Sequence, residues 1–107
     1  MKILIDESLP RKLKAHLADF EASTVPEMGW AGKKNGELLG PMSGKFDAFL
    51  TMDRNLRHQQ NLSEIQIAVV VLVGSDNRLE TLTPLMEHVR RVLTTIEVGQ
   101  VIEIQKV

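Results

Sequence analysis

The sequence predicts an α/β protein, a three-layer α/β/α sandwich with a mostly parallel sheet. Short apolar runs alternate with amphipathic segments, which is the order expected of strands joined by helical crossovers. The run IQIAVVVLV, residues 65–73, is almost entirely aliphatic and β-branched, as in a strand covered on both faces. A length of 107 residues, 43% of them hydrophobic and 25% charged, fits a single globular domain, residues 1–107.

Five apolar runs predict strands, and polar or helix-breaking residues bound them, such as Pro26 after the second and Asp53 after the third. The strands are expected over residues 2–6, 22–25, 48–52, 65–73 and 101–104. Their alternation with helices predicts right-handed crossovers and hence parallel neighbours. The carboxyl ends of the strands should therefore lie along one edge of the sheet, where ligands of such folds bind.

Four segments between the strands predict helices or turns, over residues 9–19, 36–43, 56–60 and 78–96. In the first, apolar residues recur at helical spacing from Leu9, with Ser8 as a candidate N-cap and Pro10 suited to the first turn. The second lies in a glycine-rich region, where Pro41 limits its regularity. The last carries apolar residues at helical spacing, with Pro84 expected in its first turns.

The composition excludes several classes of protein. The chain contains no cysteine, which excludes disulfides and thiolate zinc sites and favours a cytoplasmic location. No apolar run approaches the roughly 18 residues of a membrane span, and the first is too short for a signal peptide. A net charge of -1 means that nucleic acid, if bound, must meet a local basic patch.

Two acids each follow a predicted strand. Asp6 ends the first strand and Asp53 follows the third, so parallel strands would bring both carboxylates to the same edge. Two such groups repel each other unless a proton or a cation intervenes. Mg²⁺ or Mn²⁺ would suit them, because hard cations prefer oxygen ligands. Phosphodiester hydrolysis is the chemistry that such a site favours.

Two further acids are candidates for the same centre. Glu37, at the start of the predicted middle helix, is expected as a third metal ligand, and Glu7 as a contributor through water. The alternative is that acids after strands only cap helices or form turns. Asp47 precedes the third strand, which places it at the opposite edge of the sheet and outside the site.

Cationic and amide residues flank these acids. Lys33 and Lys34 precede Glu37, and Arg54, Asn55 and Arg57 follow Asp53 closely. Such residues would position the phosphates of RNA. Solvated surface charge is the alternative for each of them, and the histidines are assigned no catalytic role.

Three blocks of sequence carry a resemblance to a known family. The runs ILIDESLP, STVPEMGWAGKKNGELL and FDAFLTMDRNLRHQQNL, followed by IAVVVL, resemble small bacterial and archaeal PIN-like proteins, which are predicted nucleases and possible toxin–antitoxin components. The resemblance covers almost the whole chain. It implies a PIN-like fold and a metal-dependent ribonuclease, with Asp6, Glu37 and Asp53 as metal ligands. Ser8 departs from the family's D-E-N-L-P motif, and the chain offers no clear fourth acid.

Other functions stay open at this point. The missing fourth acid favours a non-catalytic PIN-like module that binds RNA or a protein. A receiver domain also gathers acids at strand ends, but its lysine is poorly matched by Lys106. The expected partners are RNA, an antitoxin protein and a second copy of the chain, and no membrane is expected.

Overall fold

The computed structural model of the protein describes residues 1–56 and 66–105, and a parallel sheet lies at its centre. The strands in these ranges are β1 (Lys2–Ile5), β2 (Glu21–Thr24), β3 (Ala48–Thr51), β4 (Ala68–Val73) and β5 (Val101–Gln105). Every pair of neighbours is parallel, in the order β2–β1–β3–β4–β5. The predicted α/β class with a parallel sheet is confirmed.

The middle helix, predicted over 36–43, is confirmed within one residue, whereas the first and last predicted helices are shorter or interrupted. The α-helices are α1 (Asn35–Met42), α2 (Leu79–Leu82) and α3 (Met86–Leu93), and the 3₁₀-helices are Arg11–Leu17, Pro26–Met28 and Thr83–Leu85. The predicted continuous helix over 78–96 is wrong, because Pro84 has no N–H to donate and the chain tightens into a 3₁₀ turn around it. The first predicted helix is 3₁₀ rather than α. Most of the predicted 56–60 segment lies outside the described residues.

The two faces of the sheet bury separate apolar clusters, because successive residues of a strand point to opposite faces. Ile3 and Ile5 of β1 pack with the 3₁₀-helix Arg11–Leu17 and with α3, whereas Leu4 between them packs with α1. Phe49 of β3 is wholly buried in the second cluster. Helical layers therefore cover both faces of the sheet, as the sandwich architecture requires.

One connection departs from the expected handedness. The helices that join β1 to β2 and β4 to β5 pack on the same face, and the Arg90 guanidinium donates a hydrogen bond to the His16 carbonyl between them at 3.2 Å. The two connections cross the sheet in opposite directions, so they have opposite hands. The prediction that every crossover is right-handed is therefore wrong for one of them. A single seven-residue 3₁₀-helix could not cover this face alone, and α3 supplies the remaining cover.

The strand order fixes where a ligand site would lie. From β1 the chain moves outward to β2, then crosses back over β1 through α1 to reach β3 on its other side. The carboxyl edge between β1 and β3 is therefore the topological switch point, where α/β sheets commonly bind ligands. Asp47 lies at the opposite edge, as predicted. Its carboxylate accepts the Lys2 N–H there at 2.8 Å. In the described ranges, no helix is long and apolar enough to cross a membrane.

Candidate functional site

Asp6 is the buried acid at the carboxyl edge of β1. Its backbone N–H donates to the Leu50 carbonyl at 2.9 Å and so extends the pairing of β1 with β3 by one residue. The residue is 4% exposed. A carboxylate this deeply buried needs hydrogen-bond donors to replace the water it has lost.

Three side chains supply those donors to the same carboxylate oxygen. The Thr51 hydroxyl donates to Asp6 Oδ2 at 2.7 Å, and the Ser8 hydroxyl donates to it at 3.1 Å. The Asn35 amide nitrogen donates to it at 3.3 Å. Ser8 was predicted as a helix N-cap, but the 3₁₀-helix has no side-chain cap and Ser8 binds the acid instead. The Asp6 carboxylate is thus held by residues from three separate segments.

Asp53 lies beside it on the loop that follows β3. Its N–H donates to the Thr51 hydroxyl oxygen at 3.1 Å, and its Oδ1 accepts the Asn55 N–H at 3.0 Å in a tight turn. One hydroxyl therefore links the backbone of Asp53 to the carboxylate of Asp6. The neighbouring strands bring the two predicted acids together.

Asn35 joins the two carboxylates directly. Its amide nitrogen donates to Asp6 Oδ2 at 3.3 Å and to Asp53 Oδ2 at 3.2 Å. One amide nitrogen therefore bridges the two carboxylate oxygens, whose separation cannot exceed the two hydrogen-bond lengths added together. Sequence reasoning missed Asn35 because only acids were sought as ligands. Its place two residues before Glu37, at the start of the predicted helix, was the available signal.

Of the other two predicted acids, Glu7 lines one cavity together with this pair, and Glu37 does not. Glu37 is exposed, and its Oε1 accepts the N–H of Lys34, the N-cap residue of α1, at 3.0 Å. Glu7 Oε1 accepts the Gly32 N–H at 2.9 Å and ties the glycine-rich loop to the edge of the sheet. Over residues 1–56 and 66–105, no group of three or more histidines, aspartates or glutamates is placed to hold a metal ion.

An open cavity of about 590 Å³ lies over the acid pair. Lys33, Lys34 and Asn35 line it together with Asp6 and Asp53. The two lysines, which the sequence assigned to RNA, therefore flank the acids as expected, whereas Glu37 does not line the cavity.

The remaining residues assigned to RNA lie elsewhere. Arg54 forms an ion pair with Glu103 of β5, at 3.3 Å between Nε and Oε2. Its guanidinium is therefore held beside β5. Asn55 is exposed and contributes its backbone N–H to the Asp53 turn. Arg57 lies outside the described residues, as does Lys106.

A second cavity, of about 560 Å³, adjoins the first, because Asp6 and Glu7 line both. Glu27 forms part of its wall, where its carboxylate accepts the Thr24 N–H at 2.9 Å and pairs with the Lys14 ammonium at 3.0 Å. The Thr24 N–H and then the Lys14 ammonium hold the pKa of Glu27 down at about 2. This wall therefore carries an acid that is ionised at neutral pH.

Trp30, in the glycine-rich loop, is engaged with the protein itself. Its ring meets Phe46 edge to face with centroids 6.2 Å apart, and the Lys45 ammonium lies 5.6 Å from the ring centroid. These contacts anchor the loop that carries Lys33 and Lys34.

Comparisons with known proteins add no further assignment: no protein-family model matches the chain, and neither a curated protein nor a solved structure is significantly similar to it.

Thr51→Val tests how the acid pair is held. The substitution keeps the shape of the buried side chain but removes the donor to Asp6 and the acceptor for the Asp53 N–H. We expect the free energy of unfolding to fall by about 1–3 kcal/mol, measured by urea denaturation. Thr95→Val, at an exposed position, should change it by less than ~0.5 kcal/mol. Equal effects of the two substitutions would contradict this assignment.

Glu27→Gln tests the ionised wall of the second cavity. Because the pKa of Glu27 falls from 4.5 to about 2 on folding, its carboxylate stabilises the fold fully above pH ~4.5. That contribution disappears as the pH falls through about 2. The difference in unfolding free energy between wild type and the variant should therefore be constant above pH ~5 and shrink steadily below it. A difference that is independent of pH would disprove the assigned contacts.

Proposed function

We propose that the protein is a PIN-like ribonuclease that hydrolyses RNA phosphodiester bonds with the help of Mg²⁺ or Mn²⁺. The observation that carries the proposal is the pair of carboxylates, Asp6 and Asp53, which share one amide donor at the switch point of the sheet. Two lysines stand beside them at the mouth of the same cavity. Acids that could hold a cation and cations that could hold a phosphate therefore meet in one place.

The donor set fits a hard divalent cation. Asp6 and Asp53 offer carboxylate oxygens, and rotation of the Asn35 amide would turn its oxygen towards them in place of its nitrogen. Magnesium in particular is usually held by one or two carboxylates, with water and substrate phosphate as the other ligands. Bound there, such an ion would lower the pKa of a water molecule and offset charge on the leaving oxygen.

The residues of the chain would bind and orient the substrate. Thr51 and Ser8 hold the Asp6 carboxylate in place, and the turn at Asn55 does the same for Asp53. Lys33 and Lys34 attract the RNA backbone electrostatically, without regard to sequence. The cavity is open to solvent, so single-stranded RNA would reach the acids from solvent.

A non-catalytic PIN-like module that binds RNA or a protein is the second candidate. It is favoured because Glu37 caps its own helix and because, within the described residues, no group of three or more histidines or acids is placed to hold a metal ion. Calorimetry that detects no divalent binding near millimolar concentration, together with measurable binding of RNA or a protein, would favour this candidate. In either case the resemblance extends the proposal to a toxin–antitoxin component in the cytoplasm, with an antitoxin protein or a second copy as partner.

Asp6→Asn and Asp53→Asn test the catalytic claim. Each removes one negative charge with little change in shape, so each should lower Mn²⁺-dependent hydrolysis of single-stranded RNA by more than ~100-fold. That exceeds the losses usual for residues that merely support a ligand. Glu87→Gln, at an exposed position of α3, is the control and should leave the rate unchanged. Equal residual activity in wild type and both Asp variants would refute the proposal.

Glu37→Gln belongs in the same assay. The Gln amide oxygen can still accept the Lys34 N–H, so the helix cap survives while the charge is lost. A retained rate would indicate a centre of two acids, and a lost rate would mean that Glu37 leaves its cap to join them.

Asn35→Asp tests the cation directly. A third carboxylate beside Asp6 and Asp53 should lower the melting temperature in EDTA, because like charges repel. Mn²⁺ should then raise the melting temperature of Asn35→Asp more than that of wild type, since a ligand that binds the folded state stabilises it. Asn35→Ala, which removes the amide without adding charge, is the control. If Mn²⁺ leaves the melting temperature of Asn35→Asp unchanged, the pair is only a hydrogen-bonded feature of the fold.

A further inference from the structure

The second cavity adjoins the acid pair. Asp6 and Glu7 line both cavities, so the two cavities meet at these residues, which we call the ridge. A chain molecule whose phosphate lay over the acid pair would extend its next unit across this ridge into the second cavity. The two cavities are therefore neighbouring parts of one surface.

The size and lining of the second cavity restrict what it can hold. Its volume of about 560 Å³ lies within the range of sites for small organic molecules, roughly 300–1,000 Å³. Leu9 and Pro26 add apolar surface to its lining. Asp6, Glu7 and Glu27 contribute three negative charges, against two positive charges from Arg11 and Lys14. A second phosphate would be repelled here, whereas a neutral ring with apolar faces would not.

Arg11 is the cation of this cavity that is available to a ligand. Lys14 is paired with Glu27, whereas Arg11 is exposed and has no hydrogen-bond or ion-pair partner within the described part of the chain. A guanidinium plane is a common stacking surface for the bases of single-stranded RNA. The Glu27 carboxylate lines the same cavity, and its oxygens have further lone pairs that can accept base N–H groups.

We propose that this cavity is a nucleoside subsite, which receives the base and sugar next to the phosphate that Lys33 and Lys34 would bind over the acid pair, with the base stacked on Arg11. The inference rests on the proposed function for the identity of the ligand as RNA. It adds a second point of attachment on the far side of Asp6 from Lys33 and Lys34. The strand would therefore cross the acid pair rather than end there.

Arg11→Gln and Lys12→Gln form the matched pair that tests it. The two residues are adjacent and exposed in the same 3₁₀-helix, and each substitution removes one positive charge, but Lys12 does not line the cavity. The general attraction to RNA should fall equally in both. The probe is a fluorescein-labelled single-stranded RNA 12-mer of mixed sequence, measured by anisotropy in Ca²⁺ and again in EDTA. An abasic strand of the same length is the second probe.

We expect Arg11→Gln to bind the intact strand at least ~5-fold more weakly than Lys12→Gln does, since each stacked base contributes substantially to affinity. On the abasic strand the two variants should bind equally. Equal binding on both strands, or no binding of RNA by the wild type in either buffer, would overturn the subsite. The assay needs no cleavage, so a difference between the variants would support the subsite even if the Asp6 and Asp53 substitutions left hydrolysis unchanged.

Discussion

The hydrogen bond from the Thr51 hydroxyl to the Asp6 carboxylate is the interaction on which the site depends. Burial of an ionised carboxylate at the end of a core strand is costly unless donors surround it. Thr51 meets this need from the neighbouring strand, at 2.7 Å, and accepts the Asp53 N–H with the same oxygen. The parallel strands bring Asp53 to the same edge, and this one hydroxyl then contacts both acids.

The rest of the carboxyl edge is arranged around these two acids. Asn35 stands between them at the N-terminus of α1, and the loop before it is anchored through Trp30 and through Glu7. The loop therefore presents Lys33 and Lys34 to the cavity over the acids. On the other side, the Glu27 and Lys14 pair shapes the wall of the second cavity. Both cavities share Asp6, the buried acid at the switch point, in their lining.

Much of the fold follows from local pattern. The apolar runs predict all five described strands to within a few residues, because a strand buried on both faces has little choice but to be apolar. The parallel arrangement follows from the alternation with helices. Helix type was harder to predict, since the apolar spacings of four and three residues from Leu9 are those of an α-helix, yet Arg11–Leu17 forms a 3₁₀-helix. The unusual hand of one connection depends on which face of the sheet its helix packs against. No short segment of sequence determines that face.

The sequence determines that Asp6 and Asp53 each follow a strand of a parallel sheet, which places both at its carboxyl edge. Only the tertiary structure shows that the two strands, β1 and β3, are neighbours. The sequence does not determine their partners, because hydrogen bonds such as Asn35 to Asp6 join residues far apart in the chain. For the same reason Glu37, which the pattern assigned to the acids, instead caps its own helix through a contact three residues away. Arg54 pairs with Glu103 of β5, 49 residues later in the chain. Which charges follow a strand is a local property, whereas which charges meet is decided by the packing of distant segments.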